Sequence, residues 1–378
     1  MAAGAGAVED MVACADPGHT MLREFYSGRR VALTGHTGFK GAWLAFWLSR
    51  LGAEVHGFSL PPPTRPSLHE VLGPASLSSS AEGDIRDLPL LRAWLGSVRP
   101  DVVFHLAAQP LVRLSYREPM DTLTSCVIGT AHVLEAARAL GPGVRVVVVT
   151  TDKVYENLGW EHGYRETDAL GGHDPYSAAK AAADIVTHSW RRCFFEAGRV
   201  ATVRAGNVIG GGDYAADRVL PDAVRALLAG EELVLRNPES TRPWQHVLDC
   251  LAGYMSVAMR LDGSGSVPDT FNFGPGPDGN RTVGELVDEF HRHWPGRWRH
   301  EAGDGRAKES TLLNLSIDRA CARLGWRPAW TFRRAVRATA SWYRARHGAG
   351  PLDMVEFSAR QLQEHAEDAR AAGASWAG

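Results

Sequence analysis

Residues 31–41 read VALTGHTGFKG, an apolar run of β type that passes directly into a turn with three glycines. The spacing of Gly35, Gly38 and Gly41 is typical of the strand-to-helix turn that holds a dinucleotide pyrophosphate. Gly35 permits a sharp turn, Gly38 allows backbone to approach the phosphates, and Gly41 allows the helix to pack on the strand. A tight turn without a ligand seldom needs all three. The predicted dinucleotide ligands of this stretch are Gly35, Thr37, Gly38, Phe39, Lys40 and Gly41.

Beyond this turn, short β-branched runs alternate with amphipathic helical stretches, the pattern of a parallel sheet with helices on both faces. The predicted strands are residues 31–33, 54–58, 102–104, 144–149 and 200–204. A helix over 42–51, closed by Gly52, completes the first strand–helix–strand unit. We therefore predict an α/β fold, a Rossmann-type doubly wound parallel sheet with a smaller C-terminal substrate-binding domain.

The rhythm of the pattern also predicts the domain organisation. Residues 1–24 are expected to be a disordered leader and 25–205 the dinucleotide-binding domain. Residues 206–378 are expected to form mainly the substrate-binding domain, with 240–262 returning to the first domain. The Pro- and Ser-rich segment 59–80 is predicted to be an irregular connection, and the tail 351–372 to be helical without a catalytic role.

Composition excludes several classes of protein. The chain has 378 residues, 44% of them hydrophobic, and a formal net charge of −2, so no global charge attracts nucleic acid or a membrane surface. Its five cysteines have neither zinc-site spacing nor the density of a disulfide scaffold, which predicts no metal and favours a reducing cytoplasm. Apolar runs such as 146–149 are far shorter than the roughly 20 residues that cross a bilayer.

The choice between NAD and NADP stays open at the level of single residues. A carboxylate for the adenosine ribose is expected at the end of the second strand, where the chain has Ser59 instead. Ser59 could bind a ribose hydroxyl, whereas Arg65 could meet a 2′-phosphate. Asp84 and Ile85 are placed to receive the adenine, although a turn role for Asp84 is equally compatible with its setting.

Two further segments predict the reacting groups. After the third strand, the small residue Ala107 lets backbone pass close to a flat cofactor, and Gln109 follows as a candidate substrate ligand. Tyr176 and Lys180 are four residues apart and therefore share one helix face. A cation near the phenol is expected to lower the pKa of Tyr176 toward neutrality, so that it can take a proton from a sugar hydroxyl. Thr151 is expected to share that hydroxyl.

Asp152 and Lys153 follow a buried strand, at the edge of the sheet where open α/β folds form their sites. Oxidation of an alcohol does not require them, but elimination does. Once a hexose is oxidised at C4, the C5 proton becomes acidic. Asp152 could then protonate the departing C6 oxygen and Lys153 could remove the C5 proton. The alternative is that the two side chains form an ion pair at the end of the strand.

At this point the sequence resembles the CDP-glucose 4,6-dehydratases, from about residue 25 to near its end. The family-like stretches are residues 31–41, 105–110, 150–155, 163–166, 171–180, 204–213 and 242–249. Lys153 is informative, because dehydratases that act on dTDP-glucose typically have Glu beside the Asp. The leader is extra, and residues 177–180 read Ser-Ala-Ala-Lys where Ser-x-Ser-Lys is common.

The resemblance implies a lyase with tightly bound NAD, a CDP-hexose substrate and the product CDP-4-keto-6-deoxyglucose, a precursor of deoxysugars. It also implies that Asn207 and Arg242 hold the diphosphate, with Asp213 and Arg218 near the nucleotide, and that the chain forms a homodimer or homotetramer through a four-helix bundle. Guanidinium groups suit phosphate oxygens, which supports Arg242 independently.

Three alternatives remain at this stage. A nucleotide-sugar 4-epimerase would keep Thr151, Tyr176 and Lys180 but would not need Asp152. A dehydratase with another nucleotide-sugar substrate is possible, since no residue reads cytosine by a rule that we can state. A non-catalytic NAD-binding regulator is disfavoured by the intact Tyr176 and Lys180.

Overall fold

A central parallel sheet and its flanking helices are seen in a computed structural model, which describes residues 20–73, 76–266, 268–301, 313–348, 350 and 352–378. The strands are β1 (Arg30–Thr34), β2 (Glu54–Ser59), β3 (Ser79–Glu82), β4 (Val102–His105), β5 (Arg145–Val149), β6 (Val200–Ala205), β7 (Val208–Ile209), β8 (Leu233–Leu235), β9 (Thr241–Pro243), β10 (Gln245–His246), β11 (Thr270–Phe273), β12 (Asn280–Thr282) and β13 (Trp298–His300).

The helices within these ranges are α1 (Thr20–Tyr26), α2 (Phe39–Arg50), α3 (Leu68–Leu72), α4 (Leu88–Val98), α5 (Val112–Arg117), α6 (Pro119–Leu123), α7 (Gly129–Arg138), α8 (Pro175–Phe194), α9 (Val219–Ala229), α10 (Val247–Arg260), α11 (Val283–His293), α12 (Asp318–Leu324), α13 (Phe332–His347) and α14 (Met354–Ala371). A π-helical turn, Thr124–Ile128, joins α6 to α7, and a 3-10 turn, Asp152–Val154, follows β5.

The main sheet has seven strands in the order β11-β6-β5-β4-β1-β2-β3. All six pairings are parallel. From β1 the chain continues outward to β2 and β3 on one side, and then to β4, β5 and β6 on the other. Neighbouring crossovers therefore diverge at β1 and β4, which opens a crevice at their carboxyl ends.

Helices cover both faces of this sheet, because successive residues in each strand point to opposite sides. Val31 and Leu33 of β1 pack into one buried cluster together with α2 and α10. Ala32, between them, packs into a second cluster with side chains of α4 and α7. The α/β, doubly wound Rossmann-type fold is confirmed.

The five predicted strands correspond to β1, β2, β4, β5 and β6, with ends that differ by at most one residue. Two strands of the sheet were missed. β3 reads SSAE and lies at the sheet edge, so it lacks an apolar signal. β11 is short and lies beyond the predicted 25–205 and 240–262 ranges, yet pairs with β6 along its whole length.

The structure can also be compared with the predictions for the leader, the segment 59–80 and the C-terminal tail. Residues 1–19 of the predicted leader lie outside the described residues, but 20–24 belong to α1, and Leu22 of that helix is fully buried. The segment 59–80 is not wholly irregular, since Ser67 and Glu70 form a capping box that begins α3. The tail is helical, as predicted, over α14.

The C-terminal half contributes both to the sheet and to smaller structures beside it. β8 pairs with β13, β9 with β12, and β7 with β10. Side chains of helix α10 share a buried cluster with those of α2. The division into two domains at residue 206 stays a prediction. No helix in the described ranges has both the length and the apolar character required to span a bilayer.

A buried ion pair fixes β6 to α8. The Arg204 guanidinium donates to both carboxylate oxygens of Asp184, at 2.8 and 2.9 Å, and its other amino group donates to the Tyr155 hydroxyl at 2.7 Å. Asp184 also accepts a hydrogen bond from Thr150, at the end of β5. This network connects the helix that bears Tyr176 to the strand ends.

We predict that Asp184→Asn lowers the free energy of unfolding by about 3–5 kcal/mol, because it leaves the Arg204 charge buried without its counterion. Chemical denaturation measures this directly. Glu232→Gln is the control, since Glu232 pairs with Arg297 at 3.6 Å on the surface and its loss should change stability by less than about 0.5 kcal/mol. Equal effects of the two substitutions would contradict the structural role of the buried pair.

Candidate active site

The glycine turn between β1 and α2 forms a backbone cradle. Gly35 has φ +79°, and a Cβ placed there would lie 2.7 Å from the Ala107 nitrogen. A Cβ on Gly41 would lie 2.1 Å from the Gly35 carbonyl oxygen. At Gly38 the nearest atom would be 3.4 Å away, so this residue keeps an open side. These are the steric conditions for a dinucleotide pyrophosphate against the start of α2, and the residues fit that group.

The other side chains of the turn face two directions. The Thr37 hydroxyl lies 2.8 Å from the Ser59 hydroxyl and donates to the Leu60 carbonyl at 3.0 Å, which ties the turn to the end of β2. The Lys40 ammonium lies 5.9 Å from the centre of the Tyr254 ring on α10, and burial lowers the pKa of Lys40. Phe39 lies at the start of α2, beside Gly210.

Asp84 and Ile85 lie just beyond the end of β3. The Arg86 guanidinium forms ion pairs with Asp84 at 2.6 Å and with Asp121 at 2.5 Å. Its hydrogen bonds hold the pKa of Asp84 below the usual value. Ile85 packs against Gly129, where a Cβ would meet its side chain at 2.4 Å. The structure thus gives Asp84 a local structural partner, while its predicted contact with adenine stays a prediction.

The loop after β4 is fixed by His105. Its ring nitrogens lie 2.8 Å from the Thr34 hydroxyl and 3.0 Å from the Thr130 hydroxyl. Burial, with a contribution from the Lys180 charge, lowers the pKa of His105 to about 3, so the ring is neutral at physiological pH. The Thr34 hydroxyl in turn accepts the Ala107 N–H at 3.3 Å. His105 therefore has a structural role.

Gln109 is placed differently from expectation. Its amide nitrogen donates to the Leu111 carbonyl at 3.0 Å and to the Thr122 hydroxyl at 2.9 Å. Its amide oxygen accepts the Leu111 N–H. The side chain is buried and shapes the loop, so its predicted contact with substrate would require these bonds to rearrange.

The carboxylate of Asp152 is buried and held on two sides. One oxygen accepts the Thr151 hydroxyl at 2.8 Å and the other accepts the Asn207 amide at 3.2 Å. Gly206 lies against it, and a Cβ on Gly206 would lie 2.0 Å from the Asp152 Cγ. Asn207 reaches this position with φ +51°, a conformation that Asn tolerates better than most residues. The residues that follow β6 therefore fix the orientation of the Asp152 carboxylate.

Lys153 is half-buried and directly follows Asp152 in the chain, and its backbone N–H donates to the Thr151 hydroxyl at 3.4 Å. Among the described residues it has no ion-pair partner, and Asp152 bonds to Thr151 and Asn207 instead. The alternative that Asp152 and Lys153 form an ion pair at the end of the strand is therefore wrong.

Tyr176 and Lys180 lie on the buried face of α8, as their spacing predicted. The Lys180 ammonium donates to the Val149 carbonyl at 2.9 Å, and burial lowers the pKa of Lys180. Burial raises the pKa of Tyr176, while a hydrogen bond with Thr151 and the charge of Arg218 act in the opposite direction. The expected lowering of the Tyr176 pKa by Lys180 is thus wrong, because desolvation outweighs the nearby charges.

The predicted diphosphate and nucleotide ligands lie in the C-terminal half. Arg218 pairs with Asp213 at 2.7 Å, an attraction that raises the pKa of Arg218. Asp213 also accepts the Ala215 N–H, so it braces its loop. Arg242, on β9, donates to the Thr241 carbonyl at 2.9 Å. Asn207 donates to Asp152 at 3.2 Å. The roles of these four residues toward a substrate stay predictions.

Sequence reasoning missed three features of the site. Residue 206 must be glycine because a side chain there would collide with the Asp152 carboxylate. The ion pair between Asp184 and Arg204 connects α8 to β6. The Ser115 hydroxyl accepts the Tyr176 N–H at 3.2 Å and so positions the start of α8. Each of these three features depends on a contact between segments that are distant in the sequence. Only the Gly206-Asn207 pair, which directly follows a predicted strand, could have been recognised from the local sequence.

Comparisons with known proteins find relatives that match most of the chain. The sequence profile of the GDP-mannose 4,6 dehydratase family matches residues 33–339. A CDP-glucose 4,6-dehydratase from Salmonella typhimurium is 42% identical over 353 residues, which cover 91% of this chain and 98% of that protein. The structure of MoeE5 with UDP-glucuronic acid and NAD superposes with a TM-score of 0.69 at 26% identity, over 83% of this chain and 98% of that chain.

A dTDP-glucose 4,6-dehydratase from Bacillus anthracis, solved in complex with NAD, has a TM-score of 0.71 at 22% identity. The match covers 84% of this chain and 97% of that chain. At this identity the match is evidence for the fold only.

We predict that stability decreases as the pH falls from 6.5 to 4. In that range the unfolded chain binds a proton at His105, whereas the folded chain does not, because the pKa of the buried ring is lowered to about 3. The loss should be roughly 2–3 kcal/mol for this residue. Denaturation of His105→Gln should show a shallower pH dependence over this range. His162→Gln, at an exposed ring, should keep the wild-type slope. A slope unchanged in His105→Gln would refute the assignment.

Proposed function

The chain belongs to the family of nucleotide-sugar 4,6-dehydratases that the GDP-mannose 4,6 dehydratase profile describes, and on that premise we propose that it dehydrates CDP-glucose to CDP-4-keto-6-deoxyglucose with NAD. The observation that carries the proposal is the buried Asp152 carboxylate, beside Thr151 and near Tyr176. An acid at this position serves an elimination, whereas epimerisation at C4 does not need it.

The cradle of Gly35, Gly38 and Gly41 supports the dinucleotide part of the proposal, since it leaves backbone N–H groups and an open glycine at a helix N-terminus. Ser59, Asp84, Ile85 and Ala107 lie at or just beyond the carboxyl ends of β2, β3 and β4 and are proposed to contact the dinucleotide. The chemistry that bound NAD supplies is the reversible removal of a hydride from sugar C4 and its return to C6.

In the first step Tyr176 takes the proton of the C4 hydroxyl, and Thr151 holds the same oxygen by a hydrogen bond. The bond between the two side chains favours the phenolate, against the effect of burial. Lys180 is anchored on the Val149 carbonyl and lies on the same helix face as Tyr176. These residues act as a general base and its orienting partners.

In the second step Lys153, as the neutral amine, removes the C5 proton, and Asp152, as the protonated carboxyl group, donates its proton to the C6 oxygen. The C5=C6 double bond forms as the C6–O bond breaks and water leaves. Thr151 and Asn207 hold the two Asp152 oxygens and fix the direction of the transfer. Asn207, Arg218 and Arg242 are proposed to bind the diphosphate and nucleotide, with Asp213 orienting Arg218. Gln109 would join them only after releasing its bonds within its loop.

The CDP moiety is proposed from the likeness to the Salmonella enzyme, which covers almost the full length of both proteins. We further propose a cytoplasmic homodimer. The four described cysteines are free thiols, as a reducing compartment maintains them. Exposed apolar side chains on α6, the adjoining π-helical turn and α8 offer a surface for the second copy: Met120, Leu123, Ile128 and Ile185.

We expect purified protein to convert CDP-glucose into a 4-keto-6-deoxy sugar nucleotide, measured by its absorbance in alkali, and to prefer it over dTDP-, UDP- and GDP-glucose. Asp152→Asn should reduce the rate about 100-fold or more, because the proton donor to O6 is lost. Asp101→Asn makes the same change at the opposite end of the sheet, where Asp101 bonds to the Arg30 N–H, and should retain activity. Full activity in Asp152→Asn, or an epimerised product, would refute the proposal.

Gly206→Ala should lower the turnover rate about 100-fold by displacing the Asp152 carboxylate, since the added methyl group would lie 2.0 Å from it. The matched control is Gly96→Ala in α4, where an added methyl group meets no atom within 4 Å. That variant should keep wild-type activity and gain helix stability. If Gly206→Ala turns over substrate at the wild-type rate while folding normally, Asp152 is not the group that limits the reaction.

A further inference from the structure

The end of β2 lacks the carboxylate that usually binds the adenosine ribose, and the structure shows what stands there instead. The Ser59 hydroxyl is buried and bonded to Thr37 at 2.8 Å. Since Thr37 donates its own proton to the Leu60 carbonyl, Ser59 must use its proton for Thr37. The Ser59 hydroxyl can therefore only accept a hydrogen bond from a ribose hydroxyl, and its oxygen is largely buried.

The neighbouring strand carries a carboxylate at the same level. β2 and β3 run parallel, and their register pairs Phe58 with Ala81 and Ser59 with Glu82. Phe58 and Ala81 pack into the buried cluster on one face of the sheet. Ser59 and Glu82, one residue further along, point to the other face, where Thr37 and the glycine turn lie. Glu82 is thus one strand spacing, about 4.8 Å, from the usual position of the acid.

Glu82 is available for a ligand. It is exposed, and its side chain makes no hydrogen bond or ion pair with any residue in the described part of the chain. The cation close to it in sequence, Arg86, is already held by Asp84 and Asp121. With three carboxylates and one guanidinium, this corner carries excess negative charge, which favours neutral hydroxyls over a phosphate.

We propose that Glu82, from β3 rather than β2, binds the 2′- and 3′-hydroxyls of the adenosine ribose and excludes a 2′-phosphate, so that the chain selects NAD over NADP. The inference rests on the proposed function only in its assumption of a dinucleotide in the glycine cradle. A glutamate is one methylene longer than an aspartate, which helps a side chain from the next strand to reach the ribose. An ionised carboxylate also accepts both hydroxyls more strongly than a serine would.

The test measures equilibrium binding rather than turnover. The full-length chain, freed of nucleotide, is titrated with NAD+ and with NADP+ by calorimetry. We expect wild type to bind NAD+ at least about tenfold more tightly, and Glu82→Gln to lose about tenfold in NAD+ affinity while the gap to NADP+ narrows, as the loss of a charge-assisted hydrogen bond implies. Glu54→Gln, at the exposed opposite end of β2, is the matched control and should bind like wild type.

Two outcomes overturn the proposal. One is an unchanged affinity for both dinucleotides in Glu82→Gln. The other is a wild-type preference for NADP+ that disappears in Arg65→Gln, which would assign the specificity to the exposed cation after β2. The CDP-glucose assay on wild type keeps the questions separate, because Glu82-dependent NAD+ binding without turnover would refute the proposed reaction and leave this inference standing.

Discussion

The contact between the turn after β1 and the loop after β4 sets the dimensions of the whole site. At Gly35 the two backbones come so close that even a methyl group would lie 2.7 Å from the Ala107 nitrogen. His105 holds the second backbone in place through Thr34, whose hydroxyl bonds to both the ring and the Ala107 N–H. Two backbone segments at the edge of the crevice are therefore held close together, so that backbone rather than side chains would face a flat cofactor there.

The reacting groups depend on a second close approach, at the ends of β5 and β6. A buried carboxylate is costly unless its oxygens are bonded, and Thr151 and Asn207 supply one bond to each oxygen of Asp152. The space for the carboxylate exists because residue 206 has no side chain. Beneath this, Arg204 connects β6 to α8 through Asp184, so that Asp152 and Tyr176 are positioned by one network. A disturbance in that network would alter both proton transfers together.

Local pattern was sufficient for the buried strands, helix α2 and the glycine turn, because β-branched runs and glycine spacing are signals within a few residues. It failed at β3, whose polar residues lie at the sheet edge, and at β11, which joins the sheet from the distant C-terminal half. The prediction that the Tyr176 pKa is lowered was wrong because burial depends on tertiary packing, which spacing along the chain does not show. Spacing indicated Lys180 beside the phenol, but only the packed structure shows that the ammonium bonds to Val149 and that burial dominates. The internal bonds of Gln109 were equally invisible in the sequence.

Charge explains why such a site suits anionic ligands in a chain of nearly neutral net charge. Lys40 and Lys180 enter the crevice from α2 and α8, and burial lowers the pKa of each, so their ammonium forms carry a desolvation cost. Lys180 recovers part of that cost from a single carbonyl at 2.9 Å. Arg218 is already paired with Asp213, and Arg242 lies on a strand of the C-terminal half. An anionic ligand that contacts these ammonium groups would offset the desolvation cost that burial imposes on them.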